Sequence, residues 1–166
     1  SMLEANGVTK ATPVDKDPVS GGGEAHNILT NSFYLGLQKK ADQGIIGYVH
    51  LAPDCKFTCP ARVIDRNLGK EDKRSPVMRE LGFEDGVQGL PHSLLSLLRQ
   101  DTNANIRAAA IAMSVGRNGG IVSFETQADR DDASRPDVFW TGAKGHVNVA
   151  HLPCYQKLFD VLGTRR

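Results

Sequence analysis

Apolar residues recur with a helical spacing in three stretches of the chain. Over residues 27–43 and 91–100 the apolar positions lie about 3.6 residues apart, so both stretches predict amphipathic helices. Residues 152–162 predict a third helix, which has an apolar side and a glycine directly after it. Between the first two helices, residues 45–52 are rich in β-forming side chains and predict a strand, and residues 61–66 predict a shorter one.

The segment 107–150 predicts the centre of the fold. Asn118 and Gly119 lie between two apolar runs, and Asn-Gly is the preferred pair for a two-residue type I′ hairpin turn. The alanine-rich residues 107–115 favour a helix by intrinsic propensity, but a helix there would leave the hairpin without a first strand. We therefore predict strands over 107–115 and 121–127. Two further strands are indicated by the alternating pairs Val138/Trp140 and Val147/Val149.

The predicted elements define an α+β fold. Strands and helices do not alternate as they do in βαβ units, so we expect an antiparallel sheet. The prediction is a β-meander over about 107–150 with one or two N-terminal strands, packed with about three helices. Residues 26–166 are expected to form a single compact domain. Residues 1–25 carry prolines, glycines and charges and predict a flexible arm, whose Ser1 and Met2 look like the remnant of a tag.

Composition and charge limit the partners. The chain has 166 residues, of which 40% are hydrophobic and 23% charged, as in an ordinary globular protein. Its formal net charge is +1, so no strong overall field directs it to nucleic acid or to a membrane. No apolar run approaches the roughly 20 residues of a membrane-spanning helix. The three cysteines cannot all pair within the chain, which favours reduced thiols in the cytoplasm or the nucleus.

Two cysteines and a histidine offer a nucleophile and a base. Cys55 and Cys59 lie in a loop bracketed by prolines, and His146 begins a predicted strand. A histidine within hydrogen-bond reach of a thiol can take its proton and leave a nucleophilic thiolate. The pairs Asp54-Cys55 and Gly145-His146 resemble fragments of the NlpC/P60 pattern, and their placement resembles that in papain-like enzymes. The resemblance implies a cysteine hydrolase with Cys55, or Cys59, as nucleophile and His146 as base.

The same cysteines belong to a candidate zinc site. Cys55 and Cys59 form one close pair, and His151 and Cys154 form another. Two pairs of thiolate and imidazole ligands are a common way to build a tetrahedral structural zinc site. The alternative is that these are free, partly buried cysteines, which behave as small hydrophobic residues. We therefore predict no cofactor, with a structural zinc as the alternative.

A third pattern lies in the charged middle of the chain. Glu71 is followed, after seven residues, by Arg79 and Glu80, and then by Glu84. This spacing resembles a degenerate Nudix box, in which carboxylates on a helix hold Mg²⁺ against a pyrophosphate. The resemblance implies a Nudix-like phosphohydrolase with a short helix near 77–81. Pro76 falls inside the expected helix, where it removes a hydrogen bond.

Basic residues cluster in the same region, which we expect to be exposed. They could bind phosphate groups, and they are Arg62, Arg66, Lys70, Lys73 and Arg74. The aromatic residues that stack single-stranded bases are nearly missing there, and acidic neighbours dilute the charge. A solvated face of mixed charge is the alternative.

No catalytic pattern in the sequence is complete. We therefore predict a non-catalytic macromolecule-binding domain, as part of a larger protein, inside the cell. A protein partner is favoured, nucleic acid is the alternative partner, and no membrane contact is expected. The cysteine hydrolase and the Nudix-like phosphohydrolase remain alternative functions from a different class.

Overall fold

The computed structural model describes residues 12–15, 17, 19, 22–69 and 76–163. Within these ranges most of the regular structure is helical. The helices and strands are α1 (Asn31–Asp42), β1 (Tyr48–Leu51), α2 (Pro60–Asn67), α3 (His92–Arg117), β2 (Ile121–Phe124) and α4 (Pro153–Leu162). Three single-turn 3₁₀ helices accompany them, at Glu24–His26, Thr141–Ala143 and Val149–His151.

The predicted antiparallel β-meander over about 107–150 is wrong. The described residues form one sheet of two strands, in which β1 and β2 run parallel. Tyr48 pairs with Ile121, and Leu51 pairs with Phe124. The predicted strands near 138–140 and 147–149 are instead turns and a 3₁₀ helix. The fold is therefore a mixed helical structure around a minimal parallel sheet.

The main cause of this error is the length of α3. The predicted helix over 91–100 continues without a break to Arg117, because the polar stretch 101–105 is helical and not a turn. Asn105 and Ala109 continue the buried side of the helix that begins at Leu98. The alanines at 108–110 therefore follow their intrinsic helix propensity.

Asn118 and Gly119 end α3 and do not form a hairpin turn. Gly119 has a φ of 81°, which glycine adopts without steric cost. Its N–H donates to the C=O of Gly116 at 3.1 Å, and the N–H of Gly120 donates to the C=O of Val115 at 2.9 Å. These two bonds define a Schellman motif, which satisfies the last carbonyls of a helix. The chain then enters β2 parallel to β1, since the whole of α3 separates the two strands.

Other predicted elements had mixed outcomes. The predicted helices near 27–43 and 152–162 are confirmed as α1 and α4, and the strand near 45–52 is confirmed as β1. The strand predicted over 61–66 is wrong, because these residues lie within α2. The helix predicted near 77–81 is wrong as well, since residues 76–90 contain only turns and an isolated bridge.

The core is organised by α3. In the part of the chain that is described, three hydrophobic clusters contain buried residues from this helix: Leu98 with Phe57 and Met78; Ala109 and Ala112 with Leu51, Val149, Leu152, Tyr155 and Leu158; Ile111 and Val115 with Ala41. The sheet packs its inner face against the same helix through Val49 and Val122. The opposite face of the sheet is exposed to solvent.

Candidate functional site

His146 is buried in a polar cluster between three loops. Its side chain is 1% exposed, and its Nε2 lies 3.0 Å from the carbonyl oxygen of Thr58. Because a carbonyl can only accept, Nε2 carries the hydrogen and donates it. Nδ1 faces the carboxylate of Asp129 at 3.6 Å, and the other oxygen of that carboxylate lies 3.0 Å from Nε2 of His151. Both ring nitrogens of His146 are therefore directed at partners other than a cysteine.

The predicted pairing of Cys55 with His146 receives no support from this arrangement. Cys55 is exposed and His146 is buried, and within the described ranges no hydrogen bond joins His146 to Cys55 or to Cys59. Cys59 does lie near His146, since both line a void that is too narrow to admit water. Among the described residues Nδ1 of His146 has no hydrogen-bond partner, so no thiol lies within reach to give this nitrogen its proton.

The four predicted zinc ligands do not form a site. Among the described residues, no three histidine, cysteine, aspartate or glutamate side chains are grouped as a metal ion requires. Cys55 and Cys59 lie before and at the start of α2, whereas His151 contacts Asp129 and Cys154 lines a separate cavity.

The basic and Nudix-like residues that the structure describes make contacts within the protein. Arg62 donates to the carbonyl oxygen of Pro76 at 2.9 Å, and Arg66 is paired with Glu80. The carboxylate of Glu84 accepts from the N–H of Gly82. The other residues of these two predictions, Lys70, Glu71, Lys73 and Arg74, lie outside the described residues. In the part described, no helix gathers the carboxylates that a Nudix box needs.

The outer face of the sheet carries a connected series of polar side chains. The Tyr48 hydroxyl lies 2.8 Å from Oγ of Ser123, and Nδ1 of His50 lies 2.7 Å from the same oxygen. Nε2 of His50 is 3.5 Å from a carboxylate oxygen of Glu125. The parallel register explains this series, because it places Tyr48 beside Ile121 and His50 beside Ser123 on one face.

The sheet ends at β1 on one side, since no further strand pairs with β1 among the described residues. The N–H of Ile121 donates to the carbonyl oxygen of Gly47, and the N–H of Glu125 donates to that of Leu51. The backbone N–H and C=O groups of Val49 and Leu51 therefore point toward β2. Tyr48 and His50 alternate with them and direct their N–H and C=O groups away from β2. Both residues are exposed. On the other edge of the sheet, the β2 residues whose backbone groups point away from β1 are Val122 and Phe124, and both are partly buried.

A second polar network is buried beside α3. The Arg79 side chain is 1% exposed, and its guanidinium donates to Asp101 at 2.7 Å and to the hydroxyl of Thr102 at 2.7 Å. Asn105 donates to Asp101, and its side-chain oxygen accepts from the Tyr155 hydroxyl at 2.9 Å. Within the described ranges, Nε of Arg79 has no hydrogen-bond partner.

Three side chains in this region have pKa values shifted by burial. Burial raises the pKa of the Cys154 thiol to about 11, and it also raises the pKa of the Tyr155 hydroxyl. Burial raises the pKa of the Asp101 carboxyl, although the neighbouring Arg79 guanidinium opposes that rise. A cavity of about 50 Å³ lies between this network and the start of α4. Shifted groups beside a cavity are typical of functional sites.

Neither of these two regions was predicted from the sequence, for different reasons. Ser123 and Glu125 belong to a strand that was predicted with the wrong partner, and only the parallel register brings them to His50. Asp101 and Asn105 had a usable signal, because they continue the spacing of Leu94 and Leu98 along the apolar side of α3. Polar residues at such positions indicate a buried polar network.

Comparisons with known proteins add no further assignment. The chain matches no family of proteins, no curated protein and no solved structure. Within the part of the chain that is described, none of the helices has the length and hydropathy needed to cross a lipid bilayer.

Proposed function

We propose that this chain is a protein-binding domain that takes an extended polypeptide strand along the free edge of β1. The observation that carries the proposal is the two-stranded parallel sheet, in which the exposed residues Tyr48 and His50 direct their backbone groups away from β2. Parallel sheets usually occur with several strands and with both faces covered, so a pair of strands with an open edge is incomplete. Exposed edges of this kind bind further strands.

The backbone pattern of the edge identifies the chemical class of the partner. Outward donors and acceptors recur at every second residue, and the matching spacing is that of another extended backbone. Apolar surface lies beside the edge: Ile45 is 65% exposed and Tyr48 is 40% exposed. The partner side chains would pack against these residues while its backbone pairs with β1.

A proline at position 50 tests this proposal without disturbing the existing sheet. The N–H of His50 points away from β2, so His50→Pro removes an outward donor and leaves the bonds between β1 and β2 in place. His50→Thr is the matched control, because it removes the same imidazole and keeps the N–H. The probe is a display library of linear random peptides, selected on the wild-type protein.

We expect enriched peptides to bind the wild type and His50→Thr, and to bind His50→Pro at least tenfold more weakly. Hydrogen exchange should slow at the Tyr48 and His50 amides when peptide is bound. Failure to enrich any peptide, or equal binding to both variants, contradicts the proposal. Dimerisation of the purified protein through β1, measured by light scattering, would assign the edge to a second copy of the chain.

A second candidate function, ester hydrolysis, follows from the side chains on the outer face of the sheet. The Ser123 hydroxyl can donate to Nδ1 of His50, and the Nε2–H of His50 then points at Glu125. A nucleophile, a base and an orienting carboxylate are thus connected in that order. Peptide binding ranks first because the side chains of His50 and Glu125 are 44% and 75% exposed, whereas sites that stabilise developing charge exclude water.

The same control variant separates the two functions. For a hydrolase, a fluorophosphonate probe should label Ser123, and both Ser123→Ala and His50→Thr should lose the label. For a peptide-binding domain, His50→Thr should keep its peptides. Mass spectrometry that finds no modified Ser123 in the wild type rules out the hydrolase.

A further inference from the structure

The side-chain amide of Asn118 joins the ends of two helices. Its Nδ2 donates to the carbonyl oxygens of Ala41 and Asp42, at 2.9 Å and 3.3 Å, in the last turn of α1. It also donates to the carbonyl oxygen of Ser114 in the last turn of α3, at 3.0 Å. Three carbonyl oxygens, which can only accept, therefore converge on one amide group.

The residue that follows makes this amide chemically labile. Glycine has no side chain to keep its backbone nitrogen away from the preceding side chain, so an asparagine before glycine can cyclise. The nitrogen of Gly119 attacks Cγ of Asn118, the Cγ–Nδ2 bond breaks, and Nδ2 leaves as ammonia with the proton from Gly119. Water then cleaves one of the two C–N bonds of the succinimide ring, which gives aspartate or isoaspartate. Both residues are exposed, so water reaches them.

The folded structure blocks this reaction at both atoms. Ring closure requires the Gly119 nitrogen to turn toward Cγ and to lose its hydrogen, which is donated to the carbonyl oxygen of Gly116 at 3.1 Å. The bonds from Nδ2 to the ends of α1 and α3 must break as well, because this atom is the leaving group. The reaction can therefore proceed only when the end of α3 opens.

The product of the reaction cannot restore the junction. A carboxylate has no hydrogen to donate to the three carbonyl oxygens, and it would lie at the negative ends of two helix dipoles. Hydrogen bonds from Ser114 and Gln38 lower the pKa of Asp42, so the end of α1 already carries a negative charge. Solvent screens the exposed cations of the same two helix ends, which are Lys39, Lys40 and Arg117.

We propose that Asn118 is a self-modification site, which deamidates when the end of α3 opens and whose product prevents that end from closing again. The folded protein preserves the amide, and each opening allows the pair to cyclise. The isoaspartate form has a main chain that is longer by one carbon. It would therefore also displace the start of β2, where Ile121 donates to Gly47.

Timed incubation of the purified protein tests the protection. Peptide mass spectrometry detects the mass gained when an amide becomes a carboxylate, and chromatography separates the isoaspartate form. We expect Asn118 to deamidate at least tenfold more slowly in mildly alkaline buffer than in denaturing guanidinium chloride. Asn6, which is also followed by a glycine, is the internal reference, and in guanidinium chloride both asparagines should react at the same rate.

A variant and its matched control test the effect of the product. Asn118→Asp introduces the carboxylate, whereas Asn118→Ala removes the amide without adding a charge. We expect Asn118→Asp to unfold at a lower urea concentration than Asn118→Ala at neutral pH. In acid the order should disappear or reverse, because a protonated carboxyl can donate a hydrogen bond.

A second measurement does not depend on the folding of a variant. Wild-type protein is kept in guanidinium chloride until part of it is deamidated at Asn118, diluted into buffer and exposed briefly to a protease. Among the chains that survive, the deamidated fraction at Asn118 should be lower than before the protease was added.

Three outcomes would overturn the proposal. Deamidation of Asn118 as fast in buffer as in guanidinium chloride indicates that the fold gives no protection. An intact Asn118 in guanidinium chloride, under conditions in which Asn6 reacts, indicates that the pair is not a modification site. Equal unfolding of Asn118→Asp and Asn118→Ala at neutral pH, or an unchanged deamidated fraction after proteolysis, indicates that the product is tolerated.

Discussion

Tyr155 connects the largest hydrophobic cluster to the buried polar network. Its ring is fully buried and makes an edge contact with Phe124, with ring centroids 4.8 Å apart. Its hydroxyl reaches Asn105, so one side chain serves both packing and hydrogen bonding. A buried tyrosine hydroxyl normally finds such a partner.

We expect Tyr155→Phe to lower the free energy of unfolding by about 1–3 kcal/mol, because it leaves the Asn105 side-chain oxygen buried without its donor. Urea unfolding followed by circular dichroism measures this change. Tyr34→Phe is the control, since the hydroxyl of Tyr34 makes only a long, partly buried contact with Gln38. Equal losses in the two variants would contradict the importance of the buried bond.

The cysteines should differ in reactivity. The thiol of Cys154 has a pKa of about 11 because it is buried, whereas Cys55 is exposed. At neutral pH we expect an alkylating reagent to modify Cys55 first and Cys154 last, since the thiolate is the reactive form. The rate at Cys154 should rise as the pH approaches 11. Peptide mass spectrometry after timed alkylation measures both sites, and rapid labelling of Cys154 at pH 7 would contradict its burial.

The same shift determines how Cys154 affects stability. Its pKa in the folded protein lies above the ordinary 9.0, so the folded state favours the protonated thiol. This contribution is fully present below about pH 9 and is lost as the pH rises to about 11. Cys154→Ser should reduce this loss between pH 8 and pH 11, as measured by urea unfolding at each pH.

At the scale of elements, replacing a glycine by alanine should have opposite effects on stability at the end of α3 and inside α1. Gly119 has a φ of 81° in the Schellman motif, so Gly119→Ala should lower stability by about 1–2 kcal/mol. Gly36 lies inside α1 with open space around its Cα, so Gly36→Ala should raise stability by about 0.5–1 kcal/mol. Thermal unfolding of both variants measures the changes. A neutral effect at Gly119 would contradict the motif.

The sequence predicted three of the shorter elements correctly, but not how the strands are paired and connected. α1 and α4 follow from local periodicity, which depends only on which side of an element is buried, and β1 follows from its content of β-forming side chains. Asn118 and Gly119 carry information that is equally local, but asparagine followed by glycine suits both a helix end and a hairpin. The element that precedes the pair decides between a helix end and a hairpin. Because residues 101–105 are mostly polar, they were predicted as a turn, and the continuation of the helix was not predicted.

The candidate sites could be predicted to a smaller extent. His146 was predicted as the base for a cysteine, but its contact with Thr58 and its approach to Asp129 depend on loops whose paths no periodicity describes. The series from Tyr48 to Glu125 depends on pairing between strands far apart in the chain. Arg79 was assigned to a Nudix-like helix, whereas its burial against α3 became visible only in three dimensions.

At the scale of the whole molecule, the three hydrophobic clusters found among the described residues share α3, which spans 26 residues. We therefore expect the α3 amides near Ala109 and Ala112 to exchange with solvent only through global unfolding. Residues 128–140, which contain turns and no helix or strand, should exchange much faster through local openings. Hydrogen exchange followed by mass spectrometry measures both segments. Fast exchange in the middle of α3 would contradict its role as the shared element of the core.

The parallel pairing of β1 with β2 also has a consequence for the order of synthesis. His50 and Ser123 are partners across the sheet but lie 73 positions apart in the chain. On the ribosome, β1 is therefore complete long before β2 exists, and both of its edges stay unpaired while α3 is translated. A nascent chain in this interval exposes extended backbone on two sides, a form prone to aggregation. Translation rate and chaperone supply should accordingly affect the yield of this protein more than that of one built from local hairpins.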